Sequence, residues 1–111
     1  GKGWVVKTNQ INYIKPAFVT EEVIIESQLI EKTNDSLKVE MKMWGDDKKD
    51  LKAIYWATYV YIDVTKKKKT EHSKELDKLM SGILNPIEER SFEERSKAII
   101  ERLKIAKEVA D

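Results

Sequence analysis

Few side chains in this sequence have the chemistry to do more than pack or solvate. There is no cysteine and a single histidine, His72. Without cysteine there is no thiolate nucleophile, no disulfide framework and no thiolate metal site. Histidine is the side chain whose ordinary pKa suits proton transfer near neutral pH. His72, however, lies in the polar stretch Thr70-Glu71-His72-Ser73, with no apolar cover to hold a geometry, and reads as a surface residue. Asp46, Asp47 and Asp50 crowd one short segment. They lack the spacing and the closing glutamate of an EF-hand loop, so they read as a solvated hairpin, and no metal is expected. The run Lys66, Lys67, Lys68, Lys69 could meet phosphates as mobile point charges. Its plainer reading is a solvated linker whose charge deters strand pairing. Tyr55, Trp56, Tyr59 and Tyr61 could line an apolar pocket, although aromatics on a central strand more often fill a core.

The elements that would position these groups are legible from periodicity. Trp4 to Ile14 reads as a strand, imperfectly alternating, and Lys15-Pro16 ends it because proline donates no ladder hydrogen bond. Glu22 to Lys32 is a second strand, with Val23, Ile25 and Leu29 on one face and Ile24 and Ile30 on the other. Thr33-Asn34-Asp35 is a tight turn. Ser36 to Trp44 alternates cleanly, Leu37, Val39, Met41 and Met43 against Lys38, Glu40 and Lys42. After the polar loop Gly45 to Asp50, Lys52 to Val64 carries apolar residues on both faces, as a central strand would. The short loops make these last three strands an antiparallel meander.

Past the lysines the period changes from two to about 3.6. Leu76, Leu79, Met80, Ile83 and Leu84 mark a helix over about 73–84, and Asn85-Pro86 breaks it. Ser91-Phe92-Glu93-Glu94 matches a capping box. A second helix should run over about 92–110, with Phe92, Ile99, Leu103, Ala106 and Ala110 along one stripe. That helix either packs on its own domain or docks on a partner. The division expected is 1–70, a β-meander, and 71–111, a helical extension.

Composition narrows the class. The 111 residues suit one domain, and 21 basic against 20 acidic side chains give a net charge of +1. That balance argues against nucleic acid as a partner. No apolar run approaches the roughly 20 residues of a membrane span, and no signal-peptide pattern is present. A cytoplasmic setting fits the absence of cysteine. The chain opens Gly1-Lys2-Gly3 rather than with methionine, so an upstream segment is expected.

Several short pieces in a fixed order carry a resemblance. These are Trp4-Val5-Val6, Ile11-Asn12-Tyr13-Ile14-Lys15-Pro16-Ala17, Asp35-Ser36-Leu37 and Tyr59-Val60-Tyr61-Ile62-Asp63. Over about residues 4 to 76 the chain resembles the C-terminal two-thirds of a hotdog-fold acyl-CoA thioesterase of the 4-hydroxybenzoyl-CoA thioesterase type. The resemblance implies an α+β fold, a hotdog-type antiparallel sheet with four strands present and the family's N-terminal strand and central helix missing. It implies hydrolysis of an acyl thioester to a free acid and CoA by a homodimer or homotetramer, with CoA as part of the substrate and no separate cofactor. The family's catalytic carboxylate lies upstream of this region, so no catalytic residue carries over, and the 111 residues alone are expected to be inactive. Two CoA-binding positions carry over: Ser36, which matches the family's serine although Asn34 and Asp35 stand where basic residues are common, and Lys66 to Lys69, just past the last strand. The alternative is a non-enzymatic module in which meander and helix enclose an apolar ligand or dock a partner protein.

Overall fold

The structure is a computed structural model and describes residues 1–45 and 48–110. Among these the chain forms β1 (Lys2–Tyr13), β2 (Val23–Lys32), β3 (Ser36–Gly45), β4 (Leu51–Asp63), β5 (Lys68–Lys69), α1 (Lys74–Ile83) and α2 (Phe92–Ala110). The expected strands and helices are present. The addition is β5, which pairs Ile62 with Lys69 and Asp63 with Lys68. The lysine run is therefore a folded hairpin and not a loose linker. Asp63 accepts hydrogen bonds from the Thr65 and Lys66 amides, and Lys67 takes the left-handed conformation that closes the turn, φ 54°.

The sheet is antiparallel throughout, in the order β1-β4-β3-β2. Strand β4 is central, as its two apolar faces require, and β1 and β2 are the edges. Side-chain alternation divides the sheet into two surfaces. Glu40, Trp44, Ile54, Trp56 and Val60 share one, which we call the α2 face. Leu37, Val39, Met41, Ala53, Tyr55, Ala57 and Tyr59 share the other, the α1 face. Register fixes the neighbours: Glu40 lies beside Trp56 and Gln28, and Leu37 beside Tyr59.

The two helices settle differently. On the α2 face, Ile99 packs into a cluster with Trp44, Leu51 and Ile54, and Phe92, Leu103, Ile14 and Ile24 close around it. Ile54 is wholly buried. The expected stripe along α2 holds as far as Leu103. Beyond it the helix leaves the sheet, and Ala106 is exposed. Helix α1 lies along β2 on the opposite face and has no buried residue. Its N-cap Ser73 accepts from the Leu76 amide, and Asp77 pairs with Lys32 at 2.7 Å. After α1 the chain turns extended at Leu84, which bridges Leu29, and the Asn85 amide donates to the Leu29 carbonyl. Residues 84–85 thereby cover part of the open edge of β2.

Candidate functional site

Helix α2 starts where the capping box places it. The Glu94 amide donates to the Ser91 hydroxyl at 3.1 Å, and the Glu94 carboxylate accepts from the Arg90 amide, one residue further back than a standard box. This fixed start aims Arg95, one turn in, down at the sheet. Its Nε donates to Glu40 Oε2 at 2.8 Å and its Nη2 to Glu40 Oε1 at 2.9 Å. Trp56 Nε1 adds a third bond to Glu40 Oε2 at 2.8 Å. Glu40 is 1% exposed and Arg95 6%, so this is a buried, bidentate ion pair. Glu89 extends it, accepting from Arg95 at 3.2 Å and Arg102 at 2.9 Å.

Electrostatics define what these carboxylates can do. Burial alone would raise the Glu40 pKa, but the hydrogen bonds from Arg95 and Trp56 outweigh it and hold the carboxyl below the ordinary value. Glu89 is likewise lowered, first by a backbone hydrogen bond and then, against some burial, by the charges of Arg95 and Arg102. A general base needs a pKa near the working pH and a free lone pair aimed at the proton it takes. Both of these groups are fixed anions with their oxygens committed, and their role is to hold α2 on the sheet.

Beside the pair opens a cavity of about 340 Å³ lined by Ile30, Lys38, Trp56, Ile87, Glu88 and Arg90, among others. Lys38 sits with its ammonium 5.0 Å from the centre of the Trp56 ring and 3.4 Å from Glu31. Lys38 and Ser36 are two residues apart on one strand, hence on the same face. Ser36 itself closes the β2–β3 turn: its hydroxyl meets the Thr33 hydroxyl at 2.5 Å, and its carbonyl accepts from the Thr33 amide. The neighbouring Asp35 carbonyl accepts from the Tyr61 amide, two residues before the hairpin that carries the lysines. The fold thus brings Ser36 and Lys66, Lys67, Lys68 and Lys69 to one end of the sheet. All four lysines are exposed there.

His72 departs from the sequence reading. It is 9% exposed, not a surface residue. Its ring packs against Trp4 and Tyr61 at 5.9 and 5.1 Å, its Nε2 accepts from Trp4 Nε1 at 3.1 Å, and its amide donates to the Asn34 carbonyl. The apolar cover comes from residues 68 and 11 positions away in sequence, which local polarity cannot reveal. The acid loop is only partly described: Asp46 and Asp47 lie outside the described residues, and Asp50 bonds Lys15 at 2.6 Å and Lys52 at 3.0 Å. Among the described residues no group of three or more His, Cys, Asp or Glu side chains could hold a metal ion, and no helix is long and apolar enough to cross a membrane. The aromatic positions separate by face. Trp56 lies in the core under α2, with Phe92 edge-on at 5.4 Å, and Tyr55, Tyr59 and Tyr61 are half-buried on the other side. Sequence reasoning missed Glu40 and Arg95. The available signal was a glutamate flanked by lysines on the best strand and an arginine interrupting the apolar stripe of a capped helix.

Comparison with known proteins decides the architecture. A model of the thioesterase superfamily matches residues 1–52. Among solved structures, the YbaW probable thioesterase of Escherichia coli superposes with a TM-score of 0.66 at 24% identity, over 76% of this chain and 63% of that one. A thioesterase from Thermus thermophilus, complexed with coenzyme A and zinc, gives 0.64 at 14% identity over 72% and 58%. The protein carries the hotdog fold. Slr0204, a 1,4-dihydroxy-2-naphthoyl-CoA thioesterase from Synechocystis, gives 0.65 at 12% identity over 77% and 62%. The chain therefore spans about three-fifths of the length of these structures. No match is found among curated proteins.

Proposed function

We propose that this hotdog protein is an acyl-CoA thioesterase-like protein, hydrolysing an acyl thioester to the free acid and the CoA thiol. The observation that carries the reading is the superfamily match over residues 1–52 on a sheet of the same fold. In this reading the anionic nucleotide end of CoA lies at the end of the sheet where Ser36 and the hairpin lysines meet. A neighbour of the same fold complexed with coenzyme A supports the choice of ligand. Lysines at a hairpin tip offer mobile point charges to phosphate, and the Ser36 turn offers a hydroxyl.

Hydrolysis requires water to add to the thioester carbonyl, with loss of its proton to a base and departure of the thiolate. Glu40 and Glu89, the carboxylates sheltered under α2, are held as anions by arginines and do not serve as that base. We assign the base to a carboxylate outside these 111 residues, in the full protein, acting between subunits of a homodimer or homotetramer in the cytoplasm. A backbone amide at a helix N-terminus would stabilise the oxyanion.

The commitment of both sheltered carboxylates also favours a second reading, a non-enzymatic binding module. Free-thiol release from short, long and aromatic acyl-CoAs separates the two. The thioesterase reading expects turnover by a version extended upstream and none by the 111 residues. A well-folded extended version that releases no thiol from any of them moves the assignment to the binding module.

A further inference from the structure

At the end of the sheet opposite Ser36, helix α2 does not close fully onto the strands. Ser36 pairs with Val60 and the chain enters β4 at Leu51, so the two ends lie roughly 30 Å apart along that strand. The gap left there is a cleft of about 180 Å³. Ile14 and Leu51 form its sheet side, and Ile100 and Leu103 its helix side. Leu51 is 3% exposed, and Ile14 and Leu103 pack on the core cluster. The walls are therefore anchored apolar surface and not loose side chains.

The rim has one sign of charge available. Lys104 and Lys107 stand on it, one turn apart on α2, and both are exposed. Neither forms an ion pair or hydrogen bond among the described residues. Asp50, the acid at the rim, is bonded to Lys15 and Lys52 and neutralised by them. An apolar cleft with two uncommitted ammonium groups at its mouth complements a ligand with an apolar tail and an anionic head. Tail burial supplies the binding energy, and the head selects against neutral and cationic analogues by charge.

We propose that this cleft binds a medium-chain carboxylic acid, with the acyl tail on Ile14, Leu51, Ile100 and Leu103 and the carboxylate at Lys104 and Lys107. The site does not depend on thioester hydrolysis. If the full protein is a thioesterase, the ligand class is that of its product, held away from the Ser36 end and suited to feedback.

The test is titration calorimetry of the 111-residue chain with octanoate below its micellar range, beside octanol, octylamine and acetate. Saturable binding of octanoate at one site is expected, with octanol weaker by about tenfold, and no binding by octylamine or acetate. Leu103→Trp, which fills the cleft, should abolish octanoate binding. The pair Lys104→Glu and Lys107→Glu should weaken it by about tenfold or more while leaving the thermal midpoint near that of the parent, and decides the matter if Leu103→Trp does not fold. Equal binding of octanoate and octylamine, no saturable octanoate binding, or octanoate binding indifferent to both the charge reversal and a folded Leu103→Trp would each overturn the proposal.

Discussion

The two faces of this sheet are built from the same strands and are covered in opposite ways. On the α2 face, a 19-residue helix is riveted by a buried ion pair and an apolar cluster. On the α1 face, a 10-residue helix lies over one edge, tied by one partly exposed salt bridge and one bridge residue. Apolar area is not what separates them, since the α1 face carries the tyrosines and methionines. The difference is a polar contact that only one position satisfies. Ile54 and Ile99 would tolerate some sliding of α2, whereas the two hydrogen bonds from Arg95 to one buried carboxylate do not. Apolar burial supplies most of the free energy, and the buried pair fixes where the helix sits. The α1 face, with no such pin, leaves Ile25 53% and Tyr13 77% exposed.

The largest effect should come from breaking the pin on one side. Arg95→Ala leaves Glu40 charged and buried, and should cost about 3–5 kcal/mol in urea unfolding. Replacing Glu40 and Arg95 together by methionine should restore most of that loss, because no uncompensated charge remains. A double variant as unstable as the single one would mean that the pair itself, and not the orphaned charge, supplies the stability. The next contrast is between faces. Ile54→Ala, at a wholly buried site, should cost about 2–5 kcal/mol, whereas Ile25→Ala should stay within about 0.5 kcal/mol. Similar values at both would erase the distinction between a packed and an open face.

The Trp4–His72 contact is the firmest point on the α1 side. Trp4→Phe removes the donor to a part-buried ring nitrogen and should cost about 0.5–1.5 kcal/mol, with the ring signals of His72 shifting in NMR spectra. An unchanged His72 would show that the hydrogen bond does not persist in solution. The smallest effect is in pH. The Glu40 carboxyl is depressed in the fold, so its contribution is fully present above the unfolded value of about 4.3 and is lost as pH falls through the lower folded value. Glu40→Gln should flatten that part of the acid-side loss of stability. An acid limb as steep as the parent's would assign the loss to other carboxylates, with Asp50 and Glu21 the first to test.

Local chemistry in the sequence determined the elements. Period-two alternation placed β3 and β4, the double apolar face of β4 made it central, and Ser91 with Glu94 started α2 within a residue, because each of these signals is satisfied by neighbours a few positions away. The order of short motifs also pointed to the hotdog sheet. Only the tertiary structure decided what pairs across distance. Arg95 reaches Glu40 from 55 positions away, Trp4 and Tyr61 bury a histidine whose own neighbours are polar, and the lysine run folds back as β5 because Asp63 and the edge of β4 offer it partners. Hydrogen bonds and burial depend on which groups the chain's topology brings within reach, and a polar residue's immediate sequence carries no record of that.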